Sequence, residues 1–227
     1  MTNKANLYVA CITAGGLTAL EMAFFQWTSP NLSRFLLFLF FGLLASTLKV
    51  RLPGMTSTMS ASFLFVLIGI AELTFSEAVI MGCAAALVQS LWKTKQRAKL
   101  NQIVFNVSSW AVSVGVSYWI SHFALQAART DSLPVLLVLA ASLFYVTHTG
   151  LLAIILSLTS ERPLRQVWQQ CHSWAFPYYF VGTALAGLFS FSSRSVGWHV
   201  SLLMLPMMYL VFLCYRLYLD RVAHEQA

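Results

Sequence analysis

Charge is what this chain has least of. Only 9% of its 227 residues are Asp, Glu, Lys or Arg, against about 25% in an average soluble domain. Acidic residues number 7 and glycines 11, while 59% of the chain is hydrophobic. A water-soluble fold of this size has no way to hide that much apolar surface, because much of any folded surface faces solvent. The bilayer is the natural solvent for it.

Other absences narrow the function. There is no Gly-rich phosphate loop, HExxH, GxSxG or paired-carboxylate motif, so the chain is not expected to be an enzyme. No cofactor or metal is implied either. The four cysteines (Cys11, Cys83, Cys171, Cys214) form no CxxC pair and read as small apolar residues. No loop is long enough for a soluble domain, so residues 1–227 are expected to form a single integral membrane domain. No internal repeat is evident, and an inverted-repeat transporter gains no support from one. The first apolar run contains Glu21 and lacks a small-residue cleavage site, so it is expected to be retained and not cleaved as a signal peptide.

What is present is a series of apolar runs. A spanning helix needs about 20 mostly apolar residues. Runs near 7–27, 32–48, 60–75, 77–92, 103–126, 134–158, 173–192 and 197–219 fit. The third and fourth are short and separated only by "ELTFSE", so a tight hairpin or an incomplete crossing is an alternative there. The expectation is an all-α, polytopic bundle of about eight spans. Of the 14 Lys and Arg, all but Arg34, Arg129 and Arg194 then fall on the side that also holds both termini. By the positive-inside rule that side is cytoplasmic. The same placement explains a pI near 9.5 without nucleic acid. The run "KTKQRAK" (93–99) reads as a topogenic loop, with anionic headgroup contact as the alternative.

Residues 49–65, "KVRLPGMTSTMSASFLF", interrupt the pattern. Pro53-Gly54 breaks the helix. The hydroxyls from Thr56 to Ser62 are expected to cap the next helix start, with a re-entrant or pocket-lining segment as the alternative.

Polar residues within the spans supply the site candidates. Asn106, Ser109, Ser113, Ser117 and Ser121 lie on one stripe, either a helix–helix seam or a polar lining. Ala78, Gly82, Ala86 and Gln89 repeat the idea. His148 falls mid-span, and ionisable groups there are functional candidates by default. Glu21 lies late in the first span. Glu72 and Glu77 bracket an outer turn, either as wet loop residues or clustered with Glu21. The ligand-site candidates are therefore His148, Glu21, Asn106, Ser113, Gln89 and Glu72. Pro206, inside "LLMLPMMYL", is expected to kink the last span and is the hinge candidate.

Several stretches carry a resemblance: "LKVRLPGMTSTMSASFLFVLIGIAEL" (48–73), "ALVQSLWKTKQRAKLNQIVFNVSSWAVSV" (86–114), "FPYYFVGTALAGL" (176–188) and "YRLYLD" (215–220). Together they resemble the multi-span, MASE-like sensor region found ahead of HD-GYP phosphodiesterase or GGDEF diguanylate cyclase domains in bacteria. The resemblance covers roughly residues 35–220. It implies a non-catalytic sensory module of the bacterial inner membrane that passes a signal to a cytoplasmic cyclic-di-GMP output domain or partner. Residues 216–227 would then begin a signalling helix, and a homodimer would be in keeping with such modules. No ligand residue carries over from the family. Two rivals stay open: a small-molecule transporter or substrate-binding membrane subunit resembling vitamin-importer S-components, and a structural subunit of a membrane complex.

The charge bias sets one outcome. Alkaline phosphatase fused behind Ala227 should be inactive in a bacterial host, and green fluorescent protein at the same place should fluoresce. The opposite pair of readings would overturn the orientation.

Overall fold

The computed structural model describes residues 3–51, 58–92, 99–160 and 162–225, and it is helical apart from one short ribbon. In chain order the elements are α1 (Asn3–Phe25), α2 (Leu32–Thr47), β1 (Lys49–Arg51), β2 (Thr58–Ser60), α3 (Ser62–Glu72), α4 (Phe75–Leu91), α5 (Leu100–Ala127), α6 (Leu133–Ser160), α7 (Leu164–Val196), α8 (Trp198–Ser201), a 3₁₀ turn (Leu202–Met204) and α9 (Leu205–Glu225). Among the described residues, three helices, α1, α5 and α6, are long and apolar enough to cross a membrane. Large apolar side chains such as Leu7, Leu36, Phe40, Phe123 and Phe180 point outward. So broad an apolar exterior suits lipid better than water.

Local chemistry fixes several boundaries. Asn31 caps α2 by accepting from the Arg34 amide at 3.0 Å. Thr74 and Glu77 form a reciprocal capping box that starts α4. Gly197, at φ +105, ends α7 in a conformation that glycine adopts without penalty.

The segment expected to span over 60–75 is helical for only 11 residues. At 1.5 Å per residue that is about 16 Å, roughly half the hydrocarbon core. The chain reaches α3 through β2, which pairs antiparallel with β1, Val50 opposite Met59. The bonding needs of residues 49–51 and 58–60 are met by extended pairing, so α3 starts late. Nine consecutive residues, Ser62–Ile70, are buried, and α3 touches α2, α4, α6 and α7. A helix hydrophobic all round belongs in the centre of a bundle. The Pro53-Gly54 break and most of the 93–99 run lie outside the described residues.

The run expected over 173–192 belongs to a 33-residue helix, α7. The last span differs too. Pro206 is the second residue of α9, after the 3₁₀ turn, where its missing N–H removes no intrahelical bond. It marks a helix start and does not kink a continuous span.

The serine stripe of α5 is a packing seam on its buried side. Ser109, Ser113, Ser117 and Ser121 are buried, and Ser117 and Ser121 donate to backbone carbonyls one turn earlier. Neighbouring helices approach α5 closely. A Cβ built on Gly16 of α1 would sit 2.6 Å from the Ser108 Cα, and one on Gly82 of α4 would sit 2.9 Å from a Val114 methyl. Small residues are what permit such approach between membrane helices.

Gly16→Ala should therefore destabilise the protein by about 1–3 kcal/mol through overpacking. Gly15→Ala, whose Cβ would meet only a Val112 methyl at 3.4 Å, should be close to neutral. Thermal unfolding in detergent measures both, and equal effects would refute the α1–α5 seam.

Candidate functional site

Polar side chains gather at the two ends of the bundle, and one histidine sits at its centre. At one end Glu72 closes α3. Its carboxylate takes a hydrogen-bonded ion pair from Arg34 of α2 and a second, at 3.0 Å, from Arg194 Nε of α7. Arg194 Nη2 also donates to the Ala71 carbonyl at 3.1 Å. The Glu72 side chain is only 6% exposed, against 21% for Arg34 and 44% for Arg194. Glu77 is buried beside it in the next helix. It accepts from Ser29 Oγ at 2.7 Å and from the Thr74 amide at 2.9 Å. Neither is the wet loop residue that the sequence favours. Glu21, in contrast, is exposed on α1 and does not join them.

At the other end, Ser60 anchors a second network. Its hydroxyl pairs with Ser62 Oγ at 2.7 Å and donates to Gln89 of α4 at 3.0 Å, while Tyr178 of α7 donates to its carbonyl. Next to it, Asn106 of α5 donates to Ser90 Oγ at 3.1 Å, and Ser90 in turn donates to the Ala86 carbonyl. Thr56 and Ser57 lie outside the described residues, and among the described residues no hydroxyl caps α3. Ala61 holds the cap position with no side-chain bond, because Ser60 and Ser62 are already bonded to each other and to Gln89. Lys49 also lies at this end, donating to the Trp92 carbonyl. Its partial burial holds the ammonium below the ordinary lysine pKa.

His148 sits between these networks in α6. Its ring stacks on Phe144 at 5.3 Å and meets Trp110 edge-on at 5.4 Å. Phe63, at the start of α3, packs on Phe144 at 5.2 Å and on Tyr179 at 4.3 Å. His148 Nδ1 and Ser113 Oγ are buried without a hydrogen-bond partner among the described residues. Of the six ligand-site candidates, Gln89 and Asn106 meet at the Ser60 end, Glu72 stands at the opposite end, His148 and Ser113 are core positions, and Glu21 is apart.

One opening against the last helix is apolar. A groove of about 320 Å³ lies between α2, α3, α7 and α9, walled by residues such as Leu44, Leu64, Val181, Pro206 and Phe212. Met208 and Phe212 are the described side chains of α9 that are buried. The last helix therefore sits on the bundle over an incompletely filled space. A second groove, about 690 Å³, runs between α6 and α7 past Tyr145 and Tyr179.

Sequence reading missed several partners. Thr74 with Glu77 is the T-x-x-E capping signature, and it was open to detection. The assignment of Arg34, Arg194 and Glu72 to one side held the clue to their ion pairs. The Trp110 and Phe144 contacts to His148 depend on how α5 and α6 rotate against each other, which no local pattern encodes.

The Glu72 node yields a ranking. Glu72→Ala should cost about 3 kcal/mol, since it strands two cations against a buried site. Arg194→Ala should cost under about 1 kcal/mol because that side chain is half in solvent. Arg34→Ala should fall between them. Thermal unfolding of the purified variants checks the order, and equal losses would show that Glu72 is not the shared anchor.

No family model, curated protein or solved structure matches the chain.

Proposed function

We propose that the chain is a non-catalytic sensory module of the bacterial inner membrane, one that relays a signal through its last helix to a cytoplasmic output domain or partner. The observation that carries this reading is the groove beneath α9. A helix seated through Met208 and Phe212 over unfilled apolar volume has two packings open to it. Whatever fills the groove better in one packing shifts the balance between them. The helix then continues through "YRLYLDRVAHE", a polar stretch suited to leaving the membrane. Cyclic-di-GMP chemistry for the output rests on the sequence resemblance alone.

In this reading both termini face the cytoplasm. The opposed ends support it: Lys49 and the Ser60 network mark one, and Arg34, Glu72 and Arg194 mark the other. β2 and α3 together carry the chain across one pass. Three extended residues add about 10 Å to the roughly 16 Å of helix. The other passes are α1, α2, α4, α5, α6, α7 and the segment from α8 to α9. Pro206, at the foot of α9, is the natural pivot.

A second reading, a small-molecule transporter or substrate-binding membrane subunit, draws on the half-length of α3. Interrupted helices often flank transport sites. Tight stoichiometric binding of a vitamin by the purified protein would decide for it.

A diguanylate cyclase fused behind Ala227 tests the relay. Pro206→Ala frees the helix start and should change basal cyclase activity relative to the unsubstituted fusion. Val181→Trp, which fills the groove, should change it as well. A fusion whose activity ignores both substitutions would refute relay through α9.

A further inference from the structure

We propose that the outward face of α1 docks a transmembrane helix of another protein, one that carries a lysine or arginine at the depth of Glu21. No residue of α1 lines the groove beneath α9, so this surface stands apart from the relay.

The face is defined by what the bundle leaves uncovered. Ala5, Gly16 and Ala23 are the buried residues of α1, and they lie on one side of the helix. At 3.6 residues per turn, two turns bring the chain back to nearly the same direction. Leu7, Ala14 and Glu21 follow that step on the opposite side, and all three are exposed. Ala10 and Thr18 flank them and are exposed as well. The middle of this face is therefore small. The outward residues of α2 are bulky by comparison: Leu32, Leu36, Phe40 and Leu44. Bulk suits fluid hydrocarbon, whereas small outward residues let the backbone of a neighbouring helix approach.

Glu21 says which helix fits. It lies one turn before the end of α1, with Leu17 exposed one turn before it and Met22, Phe24 and Phe25 exposed after it. Lipid that covers Phe24 and Phe25 reaches past the carboxylate. Thr18 directs its hydroxyl to the Gly15 carbonyl at 2.8 Å. Among the described residues the ion pairs of the chain converge on Glu72, and none reaches Glu21. A charge that faces hydrocarbon is costly, and such groups pair with one another inside membranes. The complement of a carboxylate is a cation, so the docked helix carries Lys or Arg at this level and small residues along its seam. A second copy of this chain fits worse, because a two-fold contact through the same face sets Glu21 against Glu21.

The test uses the full chain in nanodiscs, with a fluorescent protein fused behind Ala227. A synthetic leucine–alanine helix of about 23 residues with uncharged polar flanks carries the acceptor dye. Versions of it bear Lys, Arg, Leu or Glu one turn from one end. Energy transfer to the Lys and Arg helices should exceed that to the Leu helix several-fold, and the Glu helix should give the least. Glu21→Leu should lower transfer to the level of the Leu helix. Glu21→Lys should reverse the preference in favour of the Glu helix. Ala14→Leu, which adds bulk to the middle of the face, should weaken association with the Lys helix. Both positions are exposed, so unchanged thermal unfolding reports that the variants are folded. Equal transfer to the Lys and Leu helices would overturn the proposal, as would a Lys preference that survives Glu21→Leu. Transfer between differently labelled copies of the chain that exceeds transfer to the Lys helix, and is lost in Glu21→Leu, would assign the face to a second copy and overturn it too.

Discussion

A carboxylate with two arginines holds one end of this bundle together. Glu72 belongs to a helix of 11 residues, too short to be located by its ends alone. Arg34 comes from the start of α2 and Arg194 from the end of α7, and both converge on that single buried group. In water such a pair contributes little. Where solvent is excluded, each partner depends on the others for its charge to be tolerable. The short helix, the start of α2 and the far end of α7 are thus fixed relative to one another. The capping box at Thr74 and Glu77 extends the same order into α4.

From that anchor the packing runs inward. The residues of α3 are buried all round, and its first aromatic, Phe63, meets Phe144 and Tyr179. Phe144 in turn supports His148. Because α3 starts only at Ser62, the Ser60 hydroxyl bonds Ser62 Oγ and Gln89, while Tyr178 donates to the Ser60 carbonyl. The ribbon of β1 and β2 pairs its own backbone groups, which is the requirement for extended chain wherever water is scarce.

Much of this was legible in the residues, for identifiable reasons. Hydropathy marked α1, α5 and α6, because a helix that faces lipid must be apolar along its whole length. The spacing of Ser109, Ser113, Ser117 and Ser121 gave a seam, because a four-residue step keeps one face. The length of α3 was hidden: "SFLFVLIGIAE" is equally apolar whether it crosses a membrane or fills the centre of a bundle. The fates of Glu72 and Glu77 were hidden as well. Sequence shows that a carboxylate sits by a turn, but the cations that shelter Glu72 arrive from positions 38 and 122 residues away. Pro206 looked like a kink since composition around it is uniformly apolar, and the 3₁₀ turn before it leaves no compositional trace.

One length has a consequence of its own. At 1.5 Å per residue the 33 residues of α7 extend about 50 Å, while a bilayer's hydrocarbon layer is about 30 Å thick. With Arg194 tethered to Glu72, the opposite end of this rod lies far from the ion pair. There it is held as well: Val167 is buried with Ala153 of α6, and Trp168 packs against them. A rod clamped at both ends carries a displacement of one clamp to the other.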